Sequence, residues 1–269
     1  MTRMTLTAIS SALFMALTAG LAISQEQPAE DGAGTVTAEE IANQAISELA
    51  AWRNKAARQI LRKEKSRFGS TSEFKTAWAL LEIQDGTGKD EKMADRGLKN
   101  LGRMTKKASV DEVASFYRGE ALYHQKKRGE ADAAWQAAAE AARQKTAADP
   151  KDATAQFYLG ASLVRAKEFG NARKALKKAK REGFDPAMVQ HQVGLSYLYG
   201  KQWEKARREF DKGLEIDPRY APMYFWRAMA WDKIGRKDNM LIDLDQYVKL
   251  APNAPDASKA RALLSAGGR

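Results

Sequence analysis

Three consecutive segments of equal length decide the fold. They read ATAQFYLGASLVRAKEFGNARKALKKAKREGFDP (153–186), AMVQHQVGLSYLYGKQWEKARREFDKGLEIDPRY (187–220) and APMYFWRAMAWDKIGRKDNMLIDLDQYVKLAPNA (221–254). Mostly small residues recur at a 34-residue period: Gly160, Gly194 and Ala228; Ala172, Ala206 and Met240; Ala179, Gly213 and Tyr247. Small residues let two helices approach closely, and a period of this size is typical of stacked helical hairpins. The pattern predicts an all-α chain built as an α-solenoid.

The residues of these segments resemble the tetratricopeptide repeat. The matching residues are Leu159-Gly160, Ala172, Ala179, Val193-Gly194, Tyr197, Ala206, Phe210, Gly213 and Asp217-Pro218. The resemblance implies a right-handed α-solenoid of helix hairpins, in which the first helix of each unit lines a groove that takes up peptides. It implies no common chemistry, because such repeats share only a scaffold for binding.

Residues 112–152 resemble a further repeat with a longer second helix. Gly119 precedes Gly160 by 41 residues, which is seven more than the period, and seven residues are about two helical turns. We therefore predict a solenoid over residues 111–254, with units at 112–152, 153–186, 187–220 and 221–254. A capping helix and tail over 255–269 should follow, because the last repeat of a stack otherwise exposes its apolar face.

Residues 37–110 form a helical region before the solenoid. Thr37 and Glu40 have the spacing of a capping box, and the apolar stripe that follows predicts one long helix up to about residue 67. Its other face is basic, so it either contacts a membrane surface or acidic partner or is a solvated face of a docked helix. Residues 72–104 are predicted to form a hairpin that is a degenerate repeat. The apolar stripe of the long helix predicted up to about residue 67 contains Ile41, Ala45, Leu49, Trp52, Ala56 and Ile60.

The N-terminus has the composition of a secretory signal peptide. Arg3 precedes an apolar run over residues 6–23, and small residues stand at Ala22 and Ser24. We predict cleavage after Ser24, hence a signal peptide over 1–24 and a disordered linker over 25–36; an uncleaved anchor is the alternative. The mature protein is then expected to be exported, periplasmic or associated with the cell surface, without a membrane span.

Composition limits the function. The chain of 269 residues has a formal net charge of +11, which favours anionic partners, and no cysteine, which excludes disulfides and thiolate metal sites. The two histidines, His124 and His191, lack the spacing of a zinc helix, and no paired carboxylates for acid–base chemistry are visible. We expect no catalytic residue, metal site, cofactor or nucleic-acid partner.

The groove implied by the resemblance supplies the candidate site. In each unit the fifth residue is aromatic, and the ninth and thirteenth residues fall on the same helix face. Aromatic, Met and Arg side chains carry interface energy when exposed, although the fifth-position rings could equally pack the hairpin. The candidate partner-binding residues are Phe116, Phe157, Arg165, His191, Leu195, Tyr199, Phe225, Met229 and Lys233.

These observations predict a non-catalytic protein-protein interaction scaffold of the bacterial cell envelope that binds a peptide or protein segment in its groove. One alternative is a basic surface that binds anionic envelope polymers or lipid through the N-terminal helix. Another is an enzyme whose site lies between the N-terminal helices and the solenoid.

Overall fold

A computed structural model describes residues 36–87, 89–105 and 111–267, and the chain from Val36 to Arg269 forms one compact unit. The predicted signal peptide and nearly all of the predicted linker lie outside the described residues. Every regular element in the described part of the chain is an α-helix. The prediction of an all-α fold is confirmed.

Thirteen helices occur in the described residues. They are α1 (Ala38–Ala50), α2 (Asn54–Phe68), α3 (Ser72–Gly86), α4 (Glu91–Met104), α5 (Glu112–His124), α6 (Arg128–Ala148), α7 (Ala153–Arg165), α8 (Phe169–Arg181), α9 (Pro186–Tyr199), α10 (Trp203–Ile216), α11 (Ala221–Ile234), α12 (Lys237–Leu250) and α13 (Ala257–Gly267).

The first twelve helices form six antiparallel pairs, from α1 with α2 to α11 with α12. The second helix of each pair also packs against the first helix of the next pair, and α13 packs on α12. This continuous stacking is the arrangement of an α-solenoid. Over the described residues the stack therefore has two more hairpins than the four segments that carry the regular repeat pattern. None of the described helices is long and apolar enough to cross a membrane.

The prediction of one long N-terminal helix is wrong, because the chain reverses at Trp52. This residue has a left-handed backbone with φ of 62°. The Trp52 N–H donates to the Leu49 carbonyl (3.0 Å), and the Arg53 N–H donates to the Glu48 carbonyl (2.8 Å). Such paired bonds close a helix end. The predicted capping box is present, since the Glu40 N–H donates to Thr37 Oγ1 and the Thr37 N–H to Glu40 Oε2.

The same turn ends the first helix of four later pairs. The left-handed residues there are Lys126, Lys167, Lys201 and Gly235, with φ of 63°, 63°, 58° and 87°. Each is the fifteenth residue of its unit when units are counted from residues 112, 153, 187 and 221, and Trp52 is the fifteenth from Ala38. The N-terminal region thus begins with a hairpin whose turn matches those of the regular units.

Close contact between the two helices of a pair explains the recurring glycines. A Cβ added to Gly119 would lie 2.5 Å from the ring of Trp135, and one added to Gly160 would lie 2.6 Å from Leu176. A Cβ on Gly194 would lie 2.4 Å from the ring of Phe210. In these three pairs a large side chain of the second helix rests on the backbone of the first, so only glycine fits without a shift.

Candidate functional site

A groove of about 1090 Å³ is lined by side chains from the first helices α5, α7, α9 and α11. Side chains from α3 and α4 and from the segment around Pro255 also line it. Ala50 at the end of α1, Trp52 in the turn after it, three residues of α6 and Tyr247 of α12 also line it. The groove thus draws on five of the six hairpins through their first helices and on the first hairpin through its turn.

Helix α1 is tied to the N-terminal ends of two first helices, α7 and α9. Near the start of α7, Asn43 Nδ2 donates to Thr154 Oγ1 (3.3 Å), and that hydroxyl donates to Glu39 (3.0 Å). The Ser47 hydroxyl donates to Asp185, the N-cap of α9. Because these bonds join residues more than 100 positions apart, α1 links units that do not follow one another in the chain.

The turn after α1 adds an ionic link. Arg53 Nη1 lies 2.5 Å from Asp217 Oδ2, just before α11, and its Nε lies 2.5 Å from Glu48. Burial lowers the pKa of Arg53, but its hydrogen bonds to Glu48 and Asp217 outweigh that effect and raise the pKa overall. The first hairpin is therefore anchored next to the groove by a permanently charged group.

Arg165 occupies the middle of the groove wall. Its guanidinium donates two hydrogen bonds of 2.8 Å to Glu120, which lies on α5. Burial by itself lowers the pKa of Arg165. Nearby groups, with the negative charge of Glu120 first among them, together raise the pKa by more than burial lowers it, so the pKa lies above its usual range. The cation also lies 5.6 to 5.8 Å from the rings of Phe116, Trp135 and Tyr199, which favours the charged form.

Several polar atoms of the groove-lining residues are buried without a hydrogen-bond partner among the described residues. They include Arg165 Nη1, His191 Nε2 and Gln192 Oε1. Burial, and then the charge of Arg165, lowers the pKa of His191 to about 3, so its ring is neutral at physiological pH. The side chains behind the groove surface therefore keep buried polar atoms that the described residues leave without a hydrogen-bond partner.

The fifth-position aromatics are core residues. Phe116, Phe157 and Phe225 are only 3, 1 and 2% exposed. The Phe157 ring stacks on Phe184 at 4.2 Å, and Phe225 lies 5.1 Å from Tyr247. They line the groove, but most of each ring is used to hold helices together. The structure therefore favours the packing interpretation of this position.

Tyr199 and Tyr123 are the aromatic side chains that the groove exposes most. Tyr199 is 39% exposed and Tyr123 is 50% exposed. Tyr199 is among the residues predicted from the sequence, and Tyr123 is the twelfth residue of its unit, a position that the repeat pattern also places on the groove face. The sequence does not indicate Trp135 and Trp226, because they lie on a second helix and at a sixth position, which the repeat pattern does not assign to the groove.

Seven of the nine predicted residues line the groove, and Met229 and Lys233 are not among the lining residues. Met229 packs against the C-terminal core, and the amine of Lys233 pairs with Asp232 at 2.9 Å. The segment that leads into α13 contributes to the lining at this end instead, and the Lys259 amine lies 5.6 Å from the Phe225 ring. Residues of α13 and of the segment before it thus line this end of the groove, where the sequence predicted Met229 and Lys233.

The lining carries little net charge. It contains five acidic residues (Glu91, Asp95, Glu120, Asp132 and Asp256) and four basic ones (Arg128, Arg165, Lys167 and Lys259). The excess positive charge of the chain therefore lies outside the groove. Over the described residues, no group of three or more His, Asp or Glu side chains could hold a metal ion.

The helix pairs, their common turn and the glycine contacts at a 34-residue period together decide the architecture. The fold is that of the tetratricopeptide repeat. Similar solved structures include a thermophilic TPR protein in Thermus thermophilus, which is 17% identical with a TM-score of 0.49; the match covers 70% of this chain and 98% of that chain.

Two structures of MamA are also similar. One is 18% identical over 70% of this chain and 94% of that chain, with a TM-score of 0.40. The other, MamA from residue 41 to the end from Desulfovibrio magneticus RS-1, is 16% identical over 65% and 94%, also with a TM-score of 0.40. No protein-family model and no curated protein matches the sequence. These likenesses concern the fold and do not bear on the partner.

Proposed function

We propose that this chain is a non-catalytic scaffold that binds a peptide or protein segment in the groove of its first helices. The observation that carries the proposal is the groove of about 1090 Å³ with Tyr123 and Tyr199 exposed on its wall. Concave sites with aromatic walls and a few placed polar groups are where proteins usually bind ligands.

A row of rings and one cation runs along the wall across four consecutive hairpins. The Tyr123 ring lies 5.7 Å from Trp135, and Trp135 lies 5.6 Å from the guanidinium of Arg165. Arg165 lies 5.8 Å from the Tyr199 ring, which is 6.0 Å from Trp226. Tyr, Trp and Arg dominate the binding energy of protein interfaces, so a segment laid along this row would meet a strong contact in every unit.

Charge is not the feature that would select the ligand. Glu120 already neutralises Arg165 through two hydrogen bonds, and the lining as a whole has one more acidic than basic residue. The groove therefore suits an uncharged or weakly basic segment with aromatic or aliphatic side chains. Its binding should depend little on salt, because contacts between apolar groups are not screened.

Selection of binders from a random peptide display library tests the proposal. Tyr199→Ala should weaken the selected peptides about ten- to a hundredfold, as loss of an interface anchor does. Ile242→Ala is the matched control, since Ile242 is 68% exposed on α12 and is not among the groove-lining residues. Equal losses of peptide affinity in both variants, or peptides whose binding does not change in Tyr199→Ala, would exclude the groove as the binding site.

The variant Phe225→Ala is not a suitable test of binding, although the sequence predicted Phe225 as a partner-binding residue. Its side chain is buried in the C-terminal core beside Tyr247. Truncation of a buried Phe costs about 3–5 kcal/mol of unfolding free energy. Loss of binding in Phe225→Ala would therefore report on the stability of the last hairpins and not on ligand contact.

A place in the cell envelope is the second part of the proposal. It rests on the composition of residues 1–24, with Arg3 before an apolar run and small residues before Gln25. We expect the exported chain to begin at or within a few residues of Gln25. Intact mass of the protein purified from the envelope tests this, and retention of residues 1–24 would support an anchor instead.

A further inference from the structure

Two second helices carry the positive charge of the chain. Helix α2 contains six basic residues and one acidic residue, and α8 contains six basic residues and no acidic one. Their net charges are thus +5 and +6, which together equal the formal net charge of +11 of the whole chain. The remaining residues sum to zero, so the charge is concentrated in two places.

On α8 the cations form one stripe. Lys174, Lys177, Lys178 and Arg181 follow each other at helical spacing and so share a face, which spans about 10 Å along the axis. The buried residues of α8 lie on the opposite side, and all four cations of the stripe are exposed, as is Lys180. No residue of α8 lines the groove, so the stripe is available when the groove is occupied.

The lysines of α8 have no ionic partner in the described part of the chain. Only Arg181 pairs with a carboxylate, that of Glu182 at 2.7 Å. On α2, by contrast, Arg58 pairs with Asp85, and Glu64 lies within 3.9 Å of Lys63 and 3.0 Å of Arg67. Neighbouring carboxylates thus partly neutralise α2, which the sequence had suggested as the contact, and leave α8 uncompensated.

The corresponding helix of the next repeat shows that the fold does not require these cations. Helix α10 has four basic and four acidic residues. Thirty-four residues after Lys177 and Arg181 it carries Asp211 and Glu215. Cations in a last helical turn stabilise the helix, which accounts for Arg181 and its nearest neighbours, but Lys174 and Lys177 precede that turn.

We infer that the outer face of α8 docks on an anionic lipid bilayer. Four of the five exposed cations are lysines, whose amines are hydrated point charges on flexible stems and lack the fixed geometry of a site for one structured anion. Gly170 and Asn171 are the other exposed residues of α8, so nothing apolar inserts. Such a face suits many mobile headgroups, to which each lysine adds attraction.

Vesicle binding by the chain from Thr37 onward tests the inference, because this part forms a compact unit with its own core. We expect binding to vesicles with about one-third phosphatidylglycerol and none to phosphatidylcholine alone. Replacing Lys174, Lys177, Lys178 and Lys180 by Gln should weaken binding about a hundredfold or more, since each lysine contributes roughly fivefold. The control replaces Lys55, Arg62, Lys63 and Lys65 of α2 by Gln and should lose less than about tenfold.

Absence of binding by the unchanged chain, or equal losses in the two variants, would overturn the inference. Tighter binding of heparin than of vesicles through the same α8 lysines would also overturn it, in favour of a soluble polyanion. Melting temperatures must match between variants. Should the fourfold Gln variant unfold, Lys177→Asp with Arg181→Glu repeats the test with residues that α10 carries in the same fold, and retained binding there would count against α8.

Discussion

The hairpin of α1 and α2 and the hairpin of α9 and α10 share a turn and differ in what surrounds them. Their first helices end at Trp52 and Lys201, which both have a left-handed backbone. Both keep a small residue at the eighth position, Ala45 and Gly194. Yet α9 packs against its own partner and the adjacent units, whereas α1 also bonds to residues at the starts of α7 and α9, and Arg53 in the turn after α1 bonds to Asp217 just before α11.

The difference lies in how the first helix of each hairpin is buried. In the regular hairpin, neighbours on both sides bury the first helix. The first hairpin has a neighbour on one side only among the described residues, and its first helix fits instead against the ends of later units, where Asn43, Ser47 and Arg53 find polar partners. These polar bonds hold the first hairpin where Ala50 and Trp52 are part of the groove lining.

The largest expected effect comes from the eighth position of the regular hairpin. Gly194→Leu should lower the free energy of unfolding by about 3 kcal/mol, at the upper end for overpacking, because the Phe210 ring would lie 2.4 Å from the new Cβ. Chemical denaturation measures this. Gly170→Leu is the control, since nothing lies within 4 Å of its Cβ position. An equally small effect at both glycines would show that the helix contact is looser than described.

Acid should destabilise the regular hairpin through His191. Its folded pKa of about 3 lies below the unfolded value of 6.5, so the unfolded state binds the proton first and stability falls as pH drops below about 6.5. The loss attributable to this ring should reach about 2 kcal/mol at pH 5. Denaturation at pH 7 and pH 5 checks it: His191→Gln should remove that part of the dependence, and exposed His124→Gln should not.

Breaking the ionic link should have a moderate effect on the first hairpin. Arg53→Gln removes the bonds to Glu48 and Asp217 and should cost about 1 kcal/mol, because all three side chains are largely covered. Arg236 follows Gly235 as Arg53 follows Trp52, but its pair with Asp238 is exposed, so Arg236→Gln should leave stability nearly unchanged. Thermal unfolding of the two variants compares them, and equal melting temperatures would mean that the link contributes nothing.

The smallest effect concerns the turn itself. Lys201→Gly should stabilise the chain by up to about 1 kcal/mol, because glycine accepts a positive φ without the clash of a Cβ. Trp52→Gly should destabilise it despite the same gain, because Trp52 packs against the C-terminal core. Opposite shifts in melting temperature are the expected result; shifts of the same sign would mean that Trp52 serves only as a turn residue.

The hidden first hairpin shows where sequence patterns stop being sufficient. Ala45 and Ala79 are 34 residues apart and both are buried, so the period extends into this region and indicates one further unit before the hairpin predicted over residues 72–104. The turn gave no sign, because Trp52 stands where a glycine would have marked a helix end. A continuous apolar stripe then looked like one helix, since both α1 and α2 bury a face.

The candidate site divides in the same way. The resemblance implied a groove along the first helices, the repeat positions placed Arg165, Leu195 and Tyr199 on it, and these residues do line it. Spacing could not tell a ring that packs from a ring that is exposed, because Phe157 packs on Phe184 from the connection between α8 and α9, and Phe225 packs on Tyr247 from α12. Nor could it place Met229, whose surroundings depend on how the cap folds back.

The sequence by itself determined the helix pairs of the regular units, their period and the contacts of their small residues, because these arise between residues fewer than about 20 positions apart. Only the tertiary structure decided the bonds of the first hairpin to Thr154, Asp185 and Asp217, the place of Ala50 and Trp52 in the groove lining and the isolation of the α8 lysines. Those features depend on how the small offset between neighbouring hairpins accumulates along the stack. A pattern within one hairpin does not predict this accumulated offset.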